Sequence, residues 1–203
     1  MIDPLHLSAL IASRLCHDLI SPIGAISNGV ELMMMDSAGT SSPEVALILQ
    51  SAGHANARIR YFRIAFGQCA PDQRIARGEV MAVIGDIAAG GRVKIAWDSA
   101  PDLPRREVKL ALLALQCLET AMIQGGEVKV THGDHGWILV AKAPRLRREA
   151  ALWDGFGTPD GANFDDISAG QVHFALLALE AARQHRSVMV SGGEADGQMT
   201  IRF

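Results

Sequence analysis

Between residues 5 and 69 no stretch alternates as a strand does, yet apolar side chains recur at helical spacing on both sides of one Gly/Ser/Pro-rich segment. In the first run Leu15, Leu19, Ile26 and Met33 repeat at steps of four or seven, with Cys16, Ile20, Ile23 and Val30 beside them. "DSAGTSSPE" (36–44) interrupts it, with Ser42 suited to cap and Pro43 to the first turn of a new helix. The second run carries Val45, Ile48, Leu49, Ala52, Ala55, Ile59, Phe62 and Phe66 on a near-heptad stripe up to Gly67. Two long amphipathic helices with a short connection form an antiparallel hairpin. A lone hairpin cannot cover both stripes, so a homodimer closing a four-helix bundle is expected.

The pattern changes at "QCAPDQR" (68–74), which places a boundary between a domain at 1–70 and another at 76–203. Beyond it, 92–97, 126–132, 136–143, 187–192 and 197–203 are β-branched or alternating and bounded by glycine, as strands are. Between them 106–123 and 169–186 have strong helical periodicity. The expected class is therefore α+β: a helical hairpin followed by an α/β sandwich with helices packed on one face of a sheet.

At 203 residues, 49% apolar and with a net charge of −3, the chain has no basic surplus for nucleic acid or an anionic membrane. No basic leader precedes an apolar run, and no stretch was expected to reach the roughly 18 to 20 apolar residues that span a bilayer. Cys16, Cys69 and Cys117 are odd in number and lack close spacing, which suits reduced thiols in the cytoplasm. The seven histidines show no metal-ligand spacing, so no metal is expected. "WDGFGTPDGANFDD" (153–166) imitates a glycine-rich nucleotide box and a calcium loop, but lacks the last glycine of the one and the closing Glu of the other. It reads as a flexible surface loop.

"SRLCHDLISPIGAISN" (13–28) puts His17 about 200° around the helix from Leu15 and Leu19, opposite the apolar stripe. Its neighbours there are Ser13, Arg14, Ser21, Gly24 and Asn28, small or polar. A hydrated imidazole is largely neutral at cytoplasmic pH and offers one nitrogen as a nucleophile. Pro22 removes a helical hydrogen bond just after this turn and is expected to bend the helix.

His17, Asp18, Leu19, Ser21 and Pro22 follow in order the H-box of two-component histidine kinases, with Ile20 where arginine is common. The longer run 16–33 resembles the ChpT-type histidine phosphotransferases, which join a kinase-like dimerisation hairpin to a degenerate kinase-like ATP-binding domain. The resemblance implies that His17 accepts a phosphoryl group from one receiver-domain aspartate and passes it to another. Asp18 would set the tautomer and Ser21 would flank the reaction, with Arg14, Ile20, Gly24 and Asn28 meeting the receiver. Partners would be response-regulator receivers and the receiver of a hybrid kinase, which bring their own Mg²⁺. Arg58, Arg60 and Arg63 would lie on the rim of that surface.

No ATP use is expected. Aligned on the kinase helix that carries two asparagines, this chain has Gln116 and Thr120; Lys142 stands where a strand-end carboxylate is needed; and of the last glycine box only Gly170 remains, followed by Val172 and His173. Without glycines the backbone cannot approach phosphates closely. The rival readings are a sensor kinase core with a diverged ATP site, a non-catalytic dimeric module, and a receiver phosphatase.

Overall fold

The structure is a computed structural model describing residues 2–35, 43–89, 91–157, 164 and 166–203. Helices α1 (Pro4–Met35) and α2 (Pro43–Ala65) form the hairpin, and Pro43 opens α2 as expected. The Ser42 cap lies outside the described residues. Helix α1 runs as one assigned helix through Pro22, so the chain tolerates the missing Pro22 N–H without ending the helix. The two helices approach closely at Gly29: a Cβ there would stand 2.6 Å from Ile48 Cγ1.

After the hairpin come β1 (Arg74–Ala76), α3 (Arg77–Ala88), β2 (Val93–Asp98), β3 (Asp102–Pro104), α4 (Arg105–Ala121), β4 (Gly126–Gly133), β5 (Gly136–Lys142), α5 (Ala150–Trp153), α6 (Val172–Arg183), β6 (Met189–Gly193) and β7 (Gln198–Arg202). Five strands form one sheet in the order β2-β4-β5-β7-β6, while β1 and β3 make a small antiparallel pair. Only the β2–β4 pairing is parallel within the large sheet. Alternate residues Val128 and Val130, then Trp137, Leu139 and Ala141, are buried along β4 and β5, as a sheet covered on one face requires. Helix α4 covers that face, buried continuously from Val108 to Leu118, and α6 lies alongside it. The fold is thus α+β, a helical hairpin joined to a helix-covered sheet.

Residues 74–88, where the sequence shows no clear periodic run, form β1 and α3. Val80, Val83 and Ile84 are buried at helical spacing, a pattern obscured by the glycines on either side. The decoy segment at 153–166 lies partly outside the described residues. Its ends are anchored rather than loose: Trp153 and Phe164 are buried, and Asp154 accepts a hydrogen bond from Arg148 at 2.6 Å.

Polar ties join the hairpin to the second domain. Tyr61 Oη donates to the Leu112 carbonyl at 2.8 Å, buried, and Lys109 Nζ donates to the Gly67 carbonyl at 3.1 Å. Arg105 donates to the Arg63 carbonyl, and Arg60 pairs with Asp86. Arg63 lies 3.8 Å from Glu79. Arg60 and Arg63 thus pair within this chain with their side chains still exposed.

Helix α1 is long and apolar enough to cross a membrane by length and composition alone, which corrects the expectation that no segment reaches that limit. Its inner face instead packs on α2, and the Arg14–Asp18 ion pair lies within it. Its other face leaves Ile20, Ile23, Val30 and Met34 exposed.

Two glycines on α1 separate packing from propensity. Gly29→Ala is expected to lower stability because Ile48 blocks the new methyl group. Gly24→Ala meets nothing within 4 Å and is expected to raise stability by up to about 1 kcal/mol. Urea unfolding of both variants checks the pair.

Candidate phosphotransfer site

Consecutive positions on α1 put His17 and Asp18 about 100° apart, and here that angle separates water from the interior. The His17 side chain is 86% exposed and that of Asp18 only 8%. An inward carboxylate at a helix seam needs compensating donors, and three groups supply them. Arg14, one turn earlier on α1, donates from Nε at 2.9 Å; Arg58 of α2 donates from Nη1 at 3.1 Å; and both reach Oδ2. The other oxygen, Oδ1, stands 3.1 Å from His17 Nδ1. An Nδ1–H donated to Oδ1 leaves Nε2 as the unprotonated nitrogen facing outward.

Arg14 extends further. Its Nη1 donates to the carbonyl of Gly170 at 3.0 Å, across to the second domain. Expected as a receiver contact, Arg14 has its guanidinium committed inside the chain. Ser21 is exposed and lines the same cleft as His17. Ile20 and Asn28 are exposed, Ile20 at 69%, and Gly24 has open space where a side chain would be. The cleft encloses about 650 Å³ between the hairpin and the α3–β2 segment, with His54, Asp86, Arg92 and Glu119 on its walls.

Behind Asp18 a second cavity of about 220 Å³ opens between α2, α4 and α6. Three of the residues aligned with lost nucleotide-binding positions, Gln116, Thr120 and His173, come together here. Thr120 Oγ1 donates to the Gln116 carbonyl at 3.0 Å and lies 3.0 Å from His173 Nε2. With the hydroxyl proton so placed, Nε2–H of neutral His173 donates to Thr120. Burial, helped by the Arg14 charge, holds the His173 imidazole down to about 3. Gln116 Oε1 is buried and, among the described residues, has no hydrogen-bond partner. Arg14 and Arg58 line this cavity too.

Glu119 borders both cavities and was missed in the sequence. The signal was a carboxylate inside the continuous apolar run of "LALLALQCLETAM" (110–122). Arg58 was noticed for its charge, but pairing with a residue forty positions away leaves no local trace. Among the described residues no three His, Cys, Asp or Glu side chains gather as metal ligands.

Burial, partly offset by Arg58 and Arg14, holds the Glu119 carboxyl up to about 7, against 4.5 for a free one. The native chain keeps a proton there that the unfolded chain releases. Its contribution to stability is therefore full below about 4.5 and lost as pH rises through about 7. Glu119→Gln is expected to match the parent near pH 4.5 and to exceed it by up to about 3 kcal/mol at pH 8. Urea unfolding at both pH values reads this; an equal difference at both would contradict it.

The family model for the histidine phosphotransferase C-terminal domain matches residues 77–196. The protein phosphotransferase ChpT of Brucella abortus (strain 2308) is 35% identical over 193 residues, spanning 92% of this chain and 91% of that protein. A bacterial phosphotransferase structure at 1.7 Å superposes with a TM-score of 0.79 at 29% identity, covering 99% of this chain and 97% of that one. A helical hairpin bearing an outward histidine, fused to a domain that the family model matches, leads to one assignment: the chain belongs to the ChpT-type histidine phosphotransferases.

Proposed function

We propose that His17 is the phosphoryl acceptor and donor of this histidine phosphotransferase, relaying between receiver-domain aspartates. The observation that carries the reading is the Asp18 Oδ1–His17 Nδ1 contact at 3.1 Å, which supports Nε2 as the nitrogen that would meet the incoming phosphorus. In the forward step the Nε2 lone pair forms the N–P bond as the P–O bond to the receiver's carboxylate breaks. The carboxylate departs with the electron pair. Nδ1 keeps its proton, and the positive ring that results faces the Asp18 carboxylate. The return step is the reverse. Transfer of this kind depends on in-line placement and on charge neutralisation, and the receiver supplies Mg²⁺ for the latter.

Ser21, Gly24 and Asn28 keep the approach to His17 low, and Ile20 offers an apolar contact beside it. ATP has no role in this reading. The support is the chemistry of the cavity between α4 and α6, where the His173 ring and the Arg14 guanidinium sit among residues aligned with lost kinase asparagines and glycines. The three cysteines are free thiols, in keeping with a cytoplasmic relay.

Homodimerisation accounts for the exposed face of α1. Ile23, Val30 and Met34 follow one another by seven and four residues, and Leu49 and Ile59 are exposed on α2. A second copy would cover this band and complete four helices.

Two experiments test the reading. Purified protein incubated with a phosphorylated receiver should become labelled on His17, with the label lost in His17→Ala; labelled ATP alone should give none. Labelling from ATP would instead favour a kinase core, and receiver dephosphorylation without labelled His17 would favour a phosphatase. For the dimer, Ile23→Glu with Val30→Glu should halve the mass seen by analytical ultracentrifugation while leaving the second domain folded; unchanged mass would remove the bundle interface.

A further inference from the structure

We infer that Arg14 is a positioning residue through which the degenerate domain sets the ring of His17. This rests on the reading of His17 as the phosphoryl acceptor. Four contacts make a continuous line: the Gly170 carbonyl receives Arg14 Nη1 at 3.0 Å, Arg14 Nε reaches Asp18 Oδ2 at 2.9 Å, and Asp18 Oδ1 meets His17 Nδ1 at 3.1 Å, with Arg58 Nη1 steadying Oδ2 from α2 at 3.1 Å. A guanidinium is planar and carries donors on separate nitrogens, so it fixes Gly170 and Asp18 relative to each other; an ammonium is a point charge and cannot hold both in one plane. The carboxylate in turn fixes which ring nitrogen holds the proton and which way the ring faces.

The Gly170 end is itself built. Gly170 lies in the turn Ala169–Gln171, closed by a capping box in which Gln171 Oε1 accepts from Ser168 N and Oγ at 3.0 Å each. Gln171 Nε2 then donates to Glu149 Oε2 at 3.2 Å. The surviving glycine of a lost phosphate-binding box thus presents its carbonyl to an arginine from the neighbouring domain. In place of cradling a nucleotide, the turn braces the phosphoacceptor.

The test combines Arg14→Lys, Gln171→Ala and their double variant in the full chain, with Arg58→Lys as a control. Two readouts are taken: the rate and receiver-concentration dependence of transfer to His17, and the ¹⁵N shifts of the His17 ring. Arg14→Lys should slow transfer about tenfold with the half-saturating receiver concentration unchanged, and should move part of the ring population to the Nε2–H form. Gln171→Ala should slow transfer by a smaller factor in the Arg14 background but not in the Arg14→Lys background, since the line is already cut. Combined with Arg58→Lys, which acts on Asp18 from the other side, Gln171→Ala should keep its full effect. Multiplicative losses in the Arg14→Lys/Gln171→Ala pair, or an unaltered ring tautomer in Arg14→Lys, would overturn the inference. The ring shifts need no phosphoryl donor, so they decide it separately; failure of the parent protein to label on His17 would overturn the phosphotransfer reading instead.

Discussion

A carboxylate held inside a protein must be matched by donors, and Asp18 is matched from three places in the sequence. Its own helix supplies Arg14 and the neighbouring imidazole, and the second helix supplies Arg58. Arg14 is in turn fixed by a carbonyl of the second domain. Much of the rest of the architecture serves this arrangement. The hairpin must close tightly enough for Arg58 to reach α1, which the close approach at Gly29 and Ile48 allows. The second domain must lie against the hairpin, which the buried Tyr61–Leu112 hydrogen bond secures.

The same carboxylate separates the chain's two chemistries. On its outer side the His17 ring stands in water, where an aspartyl phosphate can approach. On its inner side lie two arginines, a glutamate that keeps its proton up to about 7, and a histidine that stays neutral down to about 3. Two of the inner groups resist ionisation because burial penalises charge there. Fixed positive charge is thus concentrated next to Asp18, while behind it the His173 ring is neutral and the Glu119 carboxyl changes charge around pH 7.

What could be read directly from the residues was the part governed by periodicity and by a contiguous motif. The two helices, the placement of His17 opposite Leu15 and Leu19, and the α+β character of the second domain all follow from local pattern. Helix α3 escaped notice because glycines flank a short apolar run. The His17 contact of Asp18 was legible, but its arginines were not: Arg58 lies forty residues away, and Arg14, one turn earlier, was read as a receiver contact. Periodicity assigns a face to Arg14, but not which of several carbonyls and carboxylates it will meet. The lost asparagines and glycines were legible as losses; that Gln116, Thr120 and His173 border one cavity was a property of the folded chain alone.

The seam between hairpin and second domain carries the buried Tyr61–Leu112 bond, the half-buried Lys109–Gly67 bond, and at its exposed edge the Arg105 contact to the Arg63 carbonyl and the Arg60–Asp86 pair. A machine that must carry a nucleotide to its own histidine needs its domains to swing apart and together. A seam fastened at so many points suits an object that stays still. In the relay proposed above, a station without a stroke imposes no direction of its own, so the phosphoryl group would move whichever way the charged state of its partners drives it.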